Sequence, residues 1–256
     1  RSDTSLVSIG LANSEIGTVQ PLSKIATVIK EKLVARLNQG NKTPLYLHSD
    51  ASQGAGQLDL HVTRLGVDLL TLNAAKIYGP KQVGLLYAER SVKLHPQIVG
   101  GGQESGLRSG TENVAGVIGM ARAMILADKK RNTEVHRMGI LRDALQRKLL
   151  AVFSDAVISG HPKHRLSSHL HISFPGIDAE RLVFGLESHG VLVATGSACA
   201  ANKGTRSHVL SAIGLDDETA DGSLRLSLGR QTNEAEIGQA AQAIVNTVKK
   251  EIARRE

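Results

Sequence analysis

The sequence has a single cysteine, no tryptophan and few other aromatic residues, which make up 2% of its 256 residues. One cysteine cannot form an intramolecular disulfide, which favours a reducing compartment. The lack of aromatic side chains argues against the stacking platforms on which single-stranded nucleic acids bind. No apolar run has the length of a bilayer span, and the first ten residues lack the layout of a signal peptide. We therefore expect a cytoplasmic protein that contacts neither a membrane nor nucleic acid directly.

Aliphatic residues and positive charge are plentiful. Hydrophobic residues make up 41% of the chain, which is enough for an ordinary core built from Leu, Ile, Val and Ala. The formal net charge is +7, which can attract nucleic acid, anionic lipid or a phosphorylated small molecule. Because most of the Lys and Arg residues are scattered, as on solvated helix faces, the charge alone does not support a nucleic-acid function.

Short apolar runs alternate with helical patterns in the first half of the chain, which predicts an α/β sheet. The predicted strands lie at 6–11, 45–48, 67–72 and 83–88, with a helix at 22–37. Further along, short strands at 170–174 and 191–193 are mixed with helices, and Asn233 and Glu236 predict a capping box for the last helix.

Two helical patterns flank a charged stretch at 128–137. One face of the first pattern is apolar and carries Val114, Val117, Ile118, Ala121, Met124 and Ile125. The second pattern continues through Leu150. We place a domain boundary near Arg131, which gives predicted domains at 1–131 and 132–256.

Polar side chains follow three of the predicted strands. They are Asn13 and Ser14, Asp50 and Gln53, and Asn73 and Lys76. Ligands of open α/β sheets bind outside the carboxyl ends of the strands, so we expect these three pairs to meet at one site.

Lys76 and Asp50 have the chemistry that pyridoxal phosphate (PLP) requires. Burial at a strand end lowers the pKa of a lysine, and the neutral amine can form a Schiff base; the alternative is a surface lysine. Asp50 can pair with the protonated ring nitrogen of PLP, and Gln53 can reach its phenolic oxygen. The alternative for Asp50 is a helix N-cap. We expect His48 to be a packed histidine.

Three further features have more than one interpretation. The glycine-rich segment 100–111, which ends at Thr111 at a predicted helix N-terminus, can cradle a phosphate or can be a flexible loop. Arg225 lies in an alternating strand pattern, where it can clamp a carboxylate or stand on an edge strand. Cys199 lies among small residues, and its side chain can be either a small apolar group that fills space or a reactive thiol on a loop.

Six motifs occur in the same order as in the cysteine desulfurases, which the sequence resembles from end to end. They are NSEIG (13–17), HSDASQ (48–53), KIYGPK (76–81), RSGT (108–111), GSAC (196–199) and RLSLGR (225–230). Cysteine desulfurases are class V, fold-type I PLP enzymes that supply sulfur to iron–sulfur clusters and to tRNA thiolation. The resemblance implies an incomplete α/β large domain with a mostly parallel sheet, followed by a smaller α+β domain with the cysteine loop.

The resemblance also implies the residues that bind the cofactor. Lys76 would form the Schiff base, Asp50 would pair with the pyridinium nitrogen, and Gln53 would contact the phenolic oxygen. Thr111 would reach the PLP phosphate of the other subunit in a homodimer. Asn13, Ser14 and Asn73 complete the predicted cofactor contacts, and no metal ion is predicted.

The substrate of this family is L-cysteine. By resemblance, Arg225 would bind its carboxylate, with Asn13 beside it. Cys199 would attack the substrate's sulfur, which leaves L-alanine and a Cys199 persulfide. The persulfide would pass to a sulfur-acceptor or iron–sulfur scaffold protein.

The sequence departs from the family pattern at three points. Asn73 to Lys76 reads Asn-Ala-Ala-Lys where the family has Ser-Gly-His-Lys, so two phosphate contacts are lost, although Asn73 can still donate a hydrogen bond. Ser14 replaces a second asparagine. The family's N-terminal third has no counterpart, so we expect a fragment, or half of a split enzyme with a companion chain. The alternatives are a non-catalytic remnant that binds partners, or a selenocysteine lyase.

Overall fold

The computed structural model describes residues 1–196 and 206–255. These residues form two compact units. The first unit contains Arg1–Ala12 and Gln20–Arg131, and the second contains Asn13–Val19 and Asn132–Glu256. The short segment 13–19 is therefore part of the second unit, although it lies early in the chain.

The first unit is built around a four-stranded sheet in which β1, β2 and β3 are parallel and β4 is antiparallel to β3. The strands are β1 (Leu6–Ser8), β2 (Tyr46–Asp50), β3 (Leu69–Asn73) and β4 (Gly84–Ala88), in this order across the sheet. The same unit contains helix α1 (Leu22–Asn38), the short helix α2 (Val62–Leu65), 3-10 turns at Ala74–Ile77 and Glu104–Gly106, and the beginning of a long helix at Val114. Leu69, Leu70 and Leu72 are buried, as expected for a nearly continuous apolar run in a parallel sheet.

Polar side chains on one face of the sheet form hydrogen bonds between neighbouring strands. The His48 ring lies between the hydroxyl groups of Ser8 and Thr71, with Nδ1 2.7 Å from the first oxygen and Nε2 2.8 Å from the second. His48 is half-buried and connects three neighbouring strands. It is therefore the packed histidine that the sequence predicts.

Helix α3 (Val114–Leu150) is continuous over 37 residues. The expectation of two separate helical patterns on either side of 128–137 was wrong. This stretch contains neither glycine nor proline, and its charged residues pair along the helix: Asp128 with Arg131 at 3.3 Å, and Glu134 with Arg137 at 2.9 Å. Such i,i+3 ion pairs support a helix rather than end it.

The second unit contains an antiparallel sheet in the order β5, β6, β8, β7. Its strands are β5 (Val157–Ile158), β6 (His169–Ser173), β7 (Ala194–Thr195) and β8 (Ser223–Ser227), and its helices are α4 (Ala179–Glu187), α5 (His208–Ala212), α6 (Asp217–Asp221) and α7 (Glu234–Ala253). The strand expected at 191–193 lies slightly later, as β7. Helix α7 begins with the predicted capping box, in which Asn233 and Glu236 bond each other's backbone N–H groups.

One face of this second sheet carries the core of the unit. The buried side chains come from the sheet, from the end of α3 and from helices α4 and α7; they include Leu170, Ile172, Leu224, Leu226, Leu145, Leu149, Leu182, Leu186, Ile244 and Val248. The rings of Phe153 and Phe174 meet edge to face at 5.3 Å between centroids. The opposite face of the sheet is polar, and it carries His171 and Arg225.

Candidate active site

Lys76 lies in the segment that connects β3 and β4, three residues after the end of β3. Asn73 pairs with Gly84 across the hairpin, and the side chain of Asn73 accepts the Ala75 N–H at 2.9 Å, which starts the 3-10 turn. Tyr78 has a left-handed backbone with φ 62° and ends the turn. The turn buries Ala74 and Ile77 and leaves Lys76 exposed. Of the two alternatives for Lys76, the structure shows the surface lysine.

Asp50 ends the neighbouring strand β2. Its register partner on β3 is Thr71, two residues before Asn73, so Asp50 and Asn73 end at the same edge of the sheet. Asp50 Oδ1 accepts the Ser52 N–H at 2.8 Å and closes a local turn, not a helix. Its Oδ2 accepts no bond from any described residue. Asp50 and Asn73 thus end at one edge of the sheet, and Lys76 follows Asn73 in the turn.

Gln53 follows Asp50 in the same turn and is half-buried. The turn is closely packed, because a Cβ atom on Gly54 would lie 2.9 Å from Leu11 Cδ2. The backbone N–H of Leu11 donates to the Asp50 carbonyl at 2.8 Å. Leu11 therefore holds the segment that carries Gln53, at Asp50 before it and at Gly54 after it.

Thr111 is exposed in the loop before α3. The sequence placed it at the helix N-terminus, but the helix begins at Val114, and Asn113 Oδ1 accepts the Gly116 N–H at 3.0 Å. Asn113 is the cap that sequence reasoning missed. The glycine-rich loop is ordered by local bonds, including one from the Gly110 N–H to the Gln103 side chain at 3.0 Å.

Asn13 organises a tight turn in the second unit. Its Oδ1 accepts the backbone N–H of Glu15 at 2.8 Å and of Ile16 at 3.0 Å. Gly17, with φ +72°, donates its N–H to the Asn13 carbonyl, and a side chain there would also meet His169 at 2.8 Å. The carboxamide oxygen of Asn13 is thus engaged, which leaves its NH₂ group as the donor available to a ligand.

Arg225 lies in β8, between β6 and β7, and is half-buried, so the edge-strand alternative was wrong. Its register partners are His171 and Ala194. His171 is 1% exposed, and neither of its ring nitrogens has a hydrogen-bond partner among the described residues. Burial lowers the pKa of His171, and the positive charge of Arg225 adds to this effect, so that together they bring it to about 4. The ring that faces Arg225 is therefore neutral at pH 7.

The predicted residues divide between the two units. The first unit contains Asp50, Gln53, Asn73, Lys76 and Thr111; the second contains Asn13, Ser14 and Arg225. Ser14 is exposed. Cys199 lies outside the described residues.

The residues at the edge of the first sheet fit PLP by their chemistry. Lys76 offers an exposed primary amine that pairs with no carboxylate of the described chain. Asp50 offers a carboxylate oxygen that is free for a pyridinium N–H, and the Asn73 amide offers N–H donors for a phosphate. These are the three kinds of group that the cofactor needs.

Glu15, Ser207 and His171 are buried polar residues that sequence reasoning did not single out. Only Glu15 carried a signal, since it lies within the 13–17 motif. Within residues 1–196 and 206–255, no three His, Cys, Asp or Glu side chains are grouped so that they could hold a metal ion. None of the helices described combines the length and the apolar character that crossing a bilayer requires.

The parallel-rich sheet with its lysine hairpin has the α/β fold of PLP fold-type I enzymes, which confirms the predicted fold class. The family described as Aminotransferase class-V matches residues 1–239, and the chain belongs to this family.

The chain is similar to proteins named cysteine desulfurases. It is 40% identical over 250 residues to cysteine desulfurase IscS of Dictyoglomus turgidum, covering 98% of this chain and 61% of that protein. It is 37% identical to cysteine desulfurase IscS 1 of Archaeoglobus fulgidus, covering 98% and 62%. The chain thus spans about three-fifths of the length of these relatives.

Solved structures agree with this likeness. A NifS-like protein superposes with a TM-score of 0.84 at 34% identity, over 96% of this chain and 61% of that one. The NifS-like protein from Rickettsia africae superposes with a TM-score of 0.85 at 28% identity, over 96% and 62%. The predicted resemblance is confirmed.

Proposed function

We propose that this chain carries out cysteine desulfuration, as a part of a PLP-dependent enzyme that converts L-cysteine to L-alanine and a persulfide on Cys199. The observation that carries the proposal is the shared edge of the first sheet, where β2 ends in a carboxylate with a free oxygen and β3 leads into the turn with an exposed lysine. The names of the similar proteins support the same reaction.

When bound, PLP supplies an aldehyde that an amine can bond and a ring that withdraws electrons from the substrate's Cα. Lys76 is the amine that would hold the cofactor and then move the proton at the substrate's Cα. Asp50 would keep the ring nitrogen protonated through its free oxygen. Gln53 and Asn73 would orient the ring and the phosphate, and Thr111 would reach the phosphate of a partner subunit.

Arg225 would bind the substrate's carboxylate through paired N–H groups. Because burial keeps the facing His171 neutral, the guanidinium does not meet a second positive charge at pH 7. Asn13 would add a donor through its NH₂ group, and Ser14 would contact the cofactor from the same turn. These residues bind and orient the substrate.

Cys199 would act as the nucleophile. Its thiolate attacks the substrate's sulfur, the bond between that sulfur and Cβ breaks, and the electron pair stays on carbon, which takes a proton to give alanine. The sulfur remains on Cys199 as a persulfide until a sulfur-acceptor or iron–sulfur scaffold protein takes it. A cytoplasmic location, where the thiol stays reduced, suits this role.

Further polypeptide would complete the active form. The first unit exposes apolar side chains that a finished protein normally covers: Leu6 on β1 is 51% exposed, and Val114, Ile118 and Ile125 on α3 are 59–65% exposed. Strand β1 also stands at the edge of its sheet. We propose that these surfaces meet a second subunit of a homodimer or a companion chain with the family's N-terminal part.

The test is to incubate the chain with PLP and L-cysteine and to look by mass spectrometry for one added sulfur atom on Cys199. Lys76→Ala and Cys199→Ser are the matched controls, and neither should gain sulfur. The experiment is repeated with a co-expressed N-terminal part of a relative. If Lys76→Ala gains sulfur as fast as the unchanged chain, the proposal is wrong.

Two other results would point elsewhere. PLP absorbance without any persulfide, alone or with the added N-terminal part, would favour a non-catalytic remnant. Turnover of selenocysteine but not of L-cysteine would favour a selenocysteine lyase.

A further inference from the structure

Glu15 is a buried carboxylate that the proposed reaction does not use. It is 6% exposed and lies in the turn that Asn13 organises, where its own N–H bonds Asn13 Oδ1. A buried carboxylate is costly unless its oxygens accept hydrogen bonds. We therefore infer the role of Glu15 from the groups that contact its carboxylate.

The first group is the hydroxyl of Ser207, which donates to Glu15 Oε2 at 2.5 Å. The same oxygen atom of Ser207 accepts the N–H of Val209 at 3.2 Å and of Leu210 at 3.4 Å, and so caps α5. Ser207 is buried too. Glu15 thus fixes the cap of α5, and this cap lies two residues beyond the segment 197–205.

The second group is Gly196, at the other border of that segment. Gly196 is buried, and a Cβ atom there would lie 3.3 Å from Glu15 Oε2, 3.3 Å from Leu210 Cδ1 and 3.3 Å from Ser223 Oγ. The backbone at Gly196 therefore packs against the same carboxylate oxygen that Ser207 bonds. Both borders of the segment that carries Cys199 converge on Glu15.

Arg206 offers a contrast at the same border. It forms ion pairs with Asp217 and with Asp221, each at 2.7 Å, but its side chain is 46% exposed and those of its partners are 75% and 50% exposed. Exposed ion pairs contribute little to holding a structure, because water screens them. The buried bond to Glu15 is the stronger connection at this border.

We propose that Glu15 is a positioning residue that joins both borders of the Cys199 segment to the Asn13–Ser14 turn. The turn that carries Asn13 and the two residues that border the Cys199 segment, Gly196 and Ser207, are then held by one carboxylate. The consequence for catalysis rests on the proposed function. The structural connection does not, and it can be measured separately.

The test uses the alkylation rate of Cys199 with iodoacetamide. Because the chain has one cysteine, every modification reports on this position. In Glu15→Ala both borders lose their common anchor, and we expect alkylation to become several-fold faster. Glu15→Gln keeps an oxygen that accepts the Ser207 hydroxyl, so its rate should stay near that of the unchanged chain.

Two more variants separate positioning from a general loss of structure. Ser207→Ala removes the other end of the bond and should also accelerate alkylation. The double variant Glu15→Ala, Ser207→Ala should be no faster than the faster single variant, because both remove one interaction. Arg206→Gln, which removes only exposed ion pairs, should change the rate less than Glu15→Ala does.

Circular dichroism establishes that each variant is folded, and Ser207→Ala decides the question if Glu15→Ala does not fold. The proposal is overturned if folded Glu15→Ala alkylates at the unchanged rate, if Glu15→Gln is as fast as Glu15→Ala, or if the two single effects add. Alkylation requires neither PLP nor L-cysteine, so its outcome is independent of the proposed activity. If that activity is present, Glu15→Ala should also slow persulfide formation while PLP absorbance stays unchanged.

Discussion

The two halves of helix α3 are both amphipathic, but they have different surroundings. The second half buries Leu141, Leu145 and Leu149 in the core of the second unit. The first half leaves Val114, Val117, Ile118 and Ile125 between 51% and 65% exposed, and buries Met120, Ala123 and Ala127 on another side. An apolar stripe thus predicts that one face of a helix packs against other polypeptide. It does not predict whether that polypeptide belongs to the same chain or to a partner.

The largest effect that sharpens this comparison should come from Leu149→Ala. Leu149 is fully buried, and a cavity in a packed core lowers the free energy of unfolding by about 4 kcal/mol. Hydrogen exchange of the β6 and β8 amides in urea measures the loss within the second unit. If the amides of the variant exchange as slowly as those of the unchanged chain, this core is packed more loosely than its burial indicates.

The next effect concerns the buried polar face of the second sheet. The pKa of His171 is about 4 in the folded chain and 6.5 when the residue is freely solvated. The unfolded chain therefore binds the proton first as the pH falls. Well above pH 6.5 the ring is neutral in both states, so its titration does not change the stability. As the pH falls from 6.5 to about 4, stability is lost, by at most about 3 kcal/mol.

His171→Asn keeps a polar group but removes the titration. We expect its urea midpoint to fall less than that of the unchanged chain when the pH is lowered from 6.5 to 4. Equal falls in the two proteins would show that other groups, rather than His171, account for the acid sensitivity.

The smallest effect should come from Ile118→Ser on the exposed half of α3. The side chain is 65% exposed, so the free energy of unfolding of the chain alone should change by less than about 0.5 kcal/mol. Sedimentation velocity should nevertheless show weaker association with the second subunit or the companion chain. If association is unchanged and the chain loses much stability, this face of α3 packs within the chain and does not bind a partner.

Local sequence signals predicted much of the fold. The run from Leu69 to Leu72 is typical of a buried strand, and Asn233 with Glu236 marks the start of α7, where the structure places both. The expected break in α3 failed because a rise in charge is not a helix-stop signal. Helices end at glycine, proline or capping residues, and 128–137 has no glycine or proline.

The edge shared by Asp50 and Lys76 could also be anticipated, since carboxyl ends of parallel strands meet. The partners of Glu15 could not, because Ser207 lies 192 residues further along the chain and no local pattern links the two. The burial of His171 was equally hidden, because an alternating strand does not reveal which of its faces another segment covers. Long-range contacts of this kind have to be read from the fold.

The hairpin formed by β3 and β4 bears on how the protein folds. Its strands pair close to the turn, from Asn73 with Gly84 outward, so little chain entropy is lost when the loop closes. Contacts of such short range form early, because they need no distant part of the chain. We expect the Lys76 turn to form while the ribosome is still adding residues 132–256, so that the amine is in place before Cys199 has been synthesised.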